Sequence, residues 1–321
     1  MPTDPSKRGQ RKRFIRRRIE RDQKRIRAIL LSSKAVVDAR ILEAARAGKF
    51  ATSARFRDVL YRDIAGLYQE MGGNIDEWNR KMTTATAKEW HKFGISDLPV
   101  SERNVTFETF SRKHLDDYLA FVHPDNPNLA FTATTGLATQ DERFIRGAVT
   151  DVFRKANIVG TSIRDQQKEL LARVTAARPD WKFIDSAGRA WKPQNYFNML
   201  ARTTVARVAR ESYNDTVIEQ GHDLARIAGG PPTAPPPDPC WRWYGKIVSL
   251  TGETPGYPTL AEAEGDGLFH PNCIHYTAVI LPEELEEEQE REAVVDDNRT
   301  EMGEKALERE EESKEKQRKA A

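Results

Sequence analysis

The sequence predicts an α+β chain: a mostly helical N-terminal region, then a small α+β domain with few strands, then a charged C-terminal tail. Three observations carry that prediction. Up to Pro179 the apolar residues recur at three- and four-residue steps, the period of a helix with one buried face. Beyond Pro179, short aromatic and β-branched runs alternate with loops rich in glycine and proline. From Glu283 onward apolar residues thin out among Glu, Lys and Arg. The implied segments are a basic helical arm over 1–50, a helical region over 51–180, the small domain over 181–282 and the tail over 283–321.

Composition bounds the function. The chain has 321 residues, 38% hydrophobic and 31% charged, and its mean hydropathy of −0.69 fits a globular part with polar appendages. No run approaches the roughly 20 apolar residues of a bilayer span, and no apolar segment follows the first basic residues. The expectation is a chain with neither a membrane anchor nor a secretory signal, made in the cytoplasm. Two cysteines, Cys240 and Cys273, are too few for an oxidised scaffold, which leaves metal binding or burial as their chemistry. The formal charge of +2 hides a strong asymmetry: residues 1–30 hold twelve Lys/Arg against three Asp/Glu, a net +9, whereas 283–321 hold sixteen Asp/Glu against eight Lys/Arg, a net −8. That placement points to a polyanionic partner at the N-terminal end.

In the arm, Ile15, Ile19, Ile26, Ile29, Leu30, Val37, Ile41 and Leu42 form a helical stripe, with Gly48 as the stop. Basic residues cover the other faces, and Arg11, Lys12, Arg13, Arg16, Arg17, Arg18, Lys24 and Arg25 are the candidates for contact with DNA phosphates, where counterion release makes affinity salt dependent. Acidic protein surface would serve the same arginines equally well. A second helix buries Phe56, Val59, Leu60, Ile64, Leu67 and Tyr68 and is expected to stop at Gly72-Gly73, with Asn74 capping a third that runs through Trp78, Met82 and Trp90. Further helices are expected near 107–122, 141–156 and 162–176, the last with Ser162 as N-cap; Pro124 and Pro127 break the chain after the first of these. His91, His114 and His123 lack ligand spacing and read as packing or surface residues.

After Pro179, "WKFIDSAGRAWKP" reads as a short hairpin, and Pro193 takes a first helical position. A helix continues to Gly221, "DLARIAG" is a strand, and "GGPPTAPPPDP" is a surface loop. "CWRWYGKIVSL" reads as a strand begun between Trp243 and Lys246, "TGETPGYPTLAEAEGDG" as a loop, and "YTAVIL" as the closing strand. The tail reads as a solvated helix or a segment disordered until bound.

"HPNCIH", His270 to His275, concentrates the reactive side chains. With Cys240 it gives Cys-x29-His-x2-Cys-x-His, four N/S donors suited to tetrahedral zinc: Cys240, His270, Cys273 and His275. The same residues also fit a rigid His-Pro-Asn turn with a buried thiol and no metal. A metal-dependent DNA-processing enzyme built on His270, Cys273 and His275 is the alternative from a different class, although acidic partners at recognisable spacing are missing.

"LARTTVARVARESYNDTVIEQGHDLARI", "CWRWYGKIVSLTGETPGYPTL" and "GLFHPNCIHYTAVILP" together resemble the C-terminal domain of tailed-phage minor capsid proteins, the phage Mu F-like head morphogenesis group and the minor capsid protein 2 family. The resemblance covers about 181–282. It departs from the pattern at Ile274, where Arg is usual, and at Trp243, where many Mu F-like members have a second Cys. It implies a non-enzymatic protein of the virion interior, near the portal vertex after assembly in the host cytoplasm. Its implied partners are portal, capsid or scaffold components and phage DNA, with zinc as the one candidate cofactor.

Overall fold

Helical spacing organises most of the molecule. The computed structural model describes residues 5–47, 53–120, 129–159, 162–176, 182–184, 189–229, 239–270, 273 and 275–296. Its helices are α1 (Pro5–Arg46), α2 (Ala54–Asp97), α3 (Phe107–Ala120), α4 (Leu129–Val159), α5 (Ile163–Ala176), α6 (Pro193–Ile218), α7 (Cys240–Trp243) and α8 (Leu260–Gly265), with a further helical segment at 285–296. The strands are β1 (Phe183–Ile184), β2 (Ala190–Trp191), β3 (Leu224–Ala228), β4 (Ile247–Ser249) and β5 (Tyr276–Val279). The expected α+β composition, helical first and with few strands, is what the chain adopts. Gly48, His123, Pro124, Pro127 and the loop at 230–238 lie outside the described residues.

Two compact units divide the chain, each assembled from separated segments: Met1–Ile19 with Thr83–Phe121 and Arg202–Ala321, and Glu20–Met82 with Val122–Ala201. In the second unit the expected stripe of α1 is buried at Ile26, Leu30, Val37 and Ile41. Tyr68 donates its hydroxyl hydrogen to buried Asp141 at 2.6 Å, and Arg40 pairs with Asp63 at 2.5 Å. Ser162 caps α5 as expected, its hydroxyl accepting the Asp165 N–H at 3.2 Å. The 183–191 hairpin also forms, pairing Phe183 with Trp191 and Ile184 with Ala190 antiparallel. Helix α4 starts at Leu129, twelve residues before the expected 141.

Gly72-Gly73 does not end a helix, contrary to the sequence expectation, and Asn74 caps nothing because α2 runs through it. The physical reason is the stripe on either side: Ile64, Tyr68, Met71, Ile75, Trp78 and Met82 keep an unbroken four-three spacing and are all buried. Each glycine costs about 1 kcal/mol against alanine, while each of those side chains contributes about 1.5–3 kcal/mol on burial.

The first unit is built on an antiparallel sheet of order β4-β3-β5. Leu224 faces Ser249 in one ladder, and Arg226 faces Ala278 in the other. Trp90, Ala209, Tyr213, Val217 and Val279 form one cluster, joined by Phe14 and Ile15 from the start of α1. Ile227, Cys240, Trp243, Val248, Leu260, Ala263 and Leu268 form another, under α7 and α8.

One boundary in this region shifts and one reading is corrected. "CWRW" forms a helical turn led by Cys240, with Cys240 and Trp243 both buried, and the strand starts at Ile247, just past the expected start between Trp243 and Lys246. The "TLAEAE" stretch read as loop is α8, closed by a capping box in which the Thr259 hydroxyl accepts the Glu262 N–H at 3.1 Å and the Glu262 carboxylate accepts the Thr259 N–H at 2.7 Å. The first part of the acidic tail is also packed. Glu288 pairs with Arg226 at 2.7 Å, both nearly buried, and Val295 lies so close to Gly245 that a Cβ there would sit 2.7 Å from it.

Candidate functional site

Helix α7, the turn before β5 and the start of that strand bring three of the four predicted donors together. Cys240, at the first position of α7, is 1% exposed, and its Sγ lies 3.5 Å from the Sγ of Cys273. Cys273 Sγ is 3.2 Å from His275 Nδ1, and all three donor atoms lie within 4.8 Å of one another. Alternation along the extended backbone gives Cys273 and His275 a common side. Neither cysteine is in a disulfide. The separations are close to the about 3.8 Å between two sulfurs of a tetrahedral zinc site, so the chemistry of the donor set fits a borderline-soft cation.

His270 is outside that cluster among the described residues and lines an adjoining cavity with Cys273. Electrostatics favour the thiolate at Cys273: the Cys240 thiol donates to it, burial opposes, and the His275 ring and backbone N–H add to the lowering, holding its pKa well below the ordinary thiol value. The Tyr244 ring, 5.8 Å from that of His275, covers one flank.

The predicted DNA-contacting residues separate by exposure. Arg13, Arg16, Arg17, Lys24 and Arg25 are exposed, with Arg25 3.9 Å from Asp22. Arg11 and Arg18 are 4% and 7% exposed. Arg11 is ion-paired with buried Asp97 and lies over the rings of Tyr213, at 5.1 Å, and Phe93, at 5.7 Å; Tyr213 also donates to Asp97 at 2.7 Å. Arg11 is therefore a core residue of the first unit and not a phosphate contact. The side chain of Lys12 lies outside the described residues. His91 packs as expected, its ring nitrogens meeting the Thr216 hydroxyl at 3.0 Å and the Val105 carbonyl at 3.3 Å, with its pKa lowered by burial.

Sequence reasoning missed Asp223, whose carboxylate ties down the loop after β4, and Arg202, Arg207 and Arg210, which share the cavity with His270. The "ARTTVARVAR" run of α6 was the signal available for the arginines.

The segments that resemble phage minor capsid proteins fall on α6 with β3, on α7 with β4, and on the Cys/His turn with β5. The sequence model of phage minor capsid protein 2 matches residues 149–320, just over half of the chain, and the protein belongs to that family. The match is wider than the 181–282 carried by the motifs, taking in part of α4, all of α5 and the acidic tail. No curated protein and no solved structure matches. Among the described residues, no helix is long and apolar enough to cross a membrane.

Proposed function

We propose that this minor capsid protein is a non-enzymatic component of the head interior that sits at the portal vertex and lays the exposed basic residues of α1 against packaged DNA. The observation that carries the reading is the sorting along α1: Phe14, Ile15, Ile26 and Leu30 and the Arg11–Asp97 pair go into the cores, while Arg13, Arg16, Arg17, Lys24 and Arg25 remain in solvent. Family membership supports the virion location. Cross-linking of intact virions followed by mass spectrometry tests the position. Cross-links to the portal protein are expected, and cross-links confined to the shell away from that vertex would overturn it.

The Cys240, Cys273 and His275 cluster is, in the same proposal, a zinc site that fastens α7 to β5. Elemental analysis is expected to give one zinc per chain, lost in Cys240→Ser and Cys273→Ser, with chelation lowering the Tm of the wild type. Absence of metal from protein purified without chelator would remove the site. DNA cleavage on adding a divalent metal, abolished by Cys273→Ser, would instead favour the enzyme.

A further inference from the structure

Three arginines of α6 converge where neither the zinc cluster nor the basic arm has a use for them. Arg202, Arg207 and Arg210 line a cavity of about 250 Å³ together with Thr203, Phe269 and His270. Arg207 and Arg210 are neighbours three residues apart on the helix surface, and Arg202 stands about two turns before Arg210.

Arg210 is the informative member. It is 6% exposed, its Nε has no hydrogen-bond partner, and one terminal nitrogen makes a long 3.4 Å bond to the Ala206 carbonyl. Its guanidinium lies 3.7 Å from the centre of the Phe269 ring. Phe269 has φ +64°, the one non-glycine residue at positive φ among those described, a conformation that strains a bulky side chain. Arginine cannot shed its charge, and burying a cation without a bonded counter-ion is unfavourable. Glu211, Glu264 and Cys273 act on it through space, but none bonds to it. The fold thus keeps a positive φ and a buried guanidinium with an unbonded Nε–H at the wall of a cavity, a place that a bonded anion would complete.

We propose that this cavity binds a phosphate monoester, with Arg210, Arg207 and Arg202 gripping its oxygens. The unbonded Nε–H of Arg210, with Arg202, Arg207 and His270 on the same wall, suits a tetrahedral dianion, which presents oxygens in more directions than a planar carboxylate. The volume falls below the roughly 300–1,000 Å³ of drug-sized pockets, so one phosphate and part of a sugar would fill it and a duplex would not enter.

The monoester can come from a 5′ strand end or from a small phosphorylated molecule, and the test separates the two. With the full chain at low ionic strength, inorganic phosphate is expected to raise the Tm saturably while acetate at matched ionic strength does not. Arg210→Met is expected to keep or raise the Tm without phosphate, because it removes a buried charge that no counter-ion bonds, and to weaken phosphate binding about tenfold or more. Arg202→Gln, nearer the start of α6, should show the same loss of phosphate response. A 5′-phosphorylated hexanucleotide that binds more tightly than its 5′-hydroxyl twin would identify a strand end; a response to inorganic phosphate with no preference between the twins would identify a small phosphate. An equal response to acetate, or an Arg210→Met protein that is destabilised yet answers phosphate as the wild type does, would overturn the proposal.

Discussion

Asp223 fastens the loop after β4 with a single carboxylate. It accepts the Ser249 hydroxyl at 2.6 Å, the N–H and hydroxyl of Thr251 at 2.7 and 2.6 Å, and those of Thr254 at 3.1 and 2.6 Å. Burial pushes its pKa up, but these bonds together outweigh it and hold the group far below the usual carboxylate range. A depressed folded value means that the stabilisation is complete above the unfolded pKa of about 3.9 and is lost as pH falls toward the folded one. Asp223→Ala is expected to cost about 2–4 kcal/mol in urea unfolding at pH 7, and the gap from the wild type should narrow at pH 3. A pH-independent gap would assign the loss to packing. Nothing in the sequence ties Asp223 to partners 26 to 31 residues onward, because the tie exists only once β3 and β4 pair. Three of the four sulfur and imidazole donors were legible because "HPNCIH" places two of them two residues apart and an extended backbone turns them to one side. His270 was not separable from them by spacing, since a turn of unknown shape lies between it and Cys273.

Among the elements, legibility followed the strength of the local signal. The stripe of α1, the Ser162 cap, the 183–191 hairpin and the helical start at Pro193 each rest on chemistry within a few residues, and each forms. The break at Gly72-Gly73 failed because a local penalty was judged without the burial that crosses it, from Tyr68 to Trp78. Helix α8 is the opposite case: Thr259 and Glu262 stand at capping-box spacing, so its start could have been read inside what looked like a loop. Helix α7 could not, because four residues with tryptophans at two positions fit a strand as well as a turn, and burial of both Cys240 and Trp243 decides between them. In the acidic segment the missing information was a partner. Glu288 is an unremarkable member of a charged run until β3 presents Arg226 to it.

At the scale of the whole molecule, charge and core are entangled along α1, and this determines how a DNA contact can be tested. Removing residues 1–30 would strip Phe14 and Ile15 from one core, Ile26 and Leu30 from the other, and leave Asp97 without Arg11, so lost binding would report unfolding as readily as a lost interface. Replacing the exposed Arg13, Arg16, Arg17, Lys24 and Arg25 by glutamine leaves those contacts in place. Each duplex phosphate that such a side chain neutralises contributes about −0.9 to the slope of log affinity against log salt. The five-fold variant is therefore expected to bind duplex DNA more weakly at low salt and to flatten the slope by up to about 4.5. Arg25 should contribute least to this, because Asp22 lies 3.9 Å away and already offsets part of its charge. Thermal unfolding measured alongside should be nearly unchanged, since exposed charges contribute little to stability. A slope equal to that of the wild type with the fold intact would mean that the exposed arginines of α1 face acidic protein surface rather than DNA.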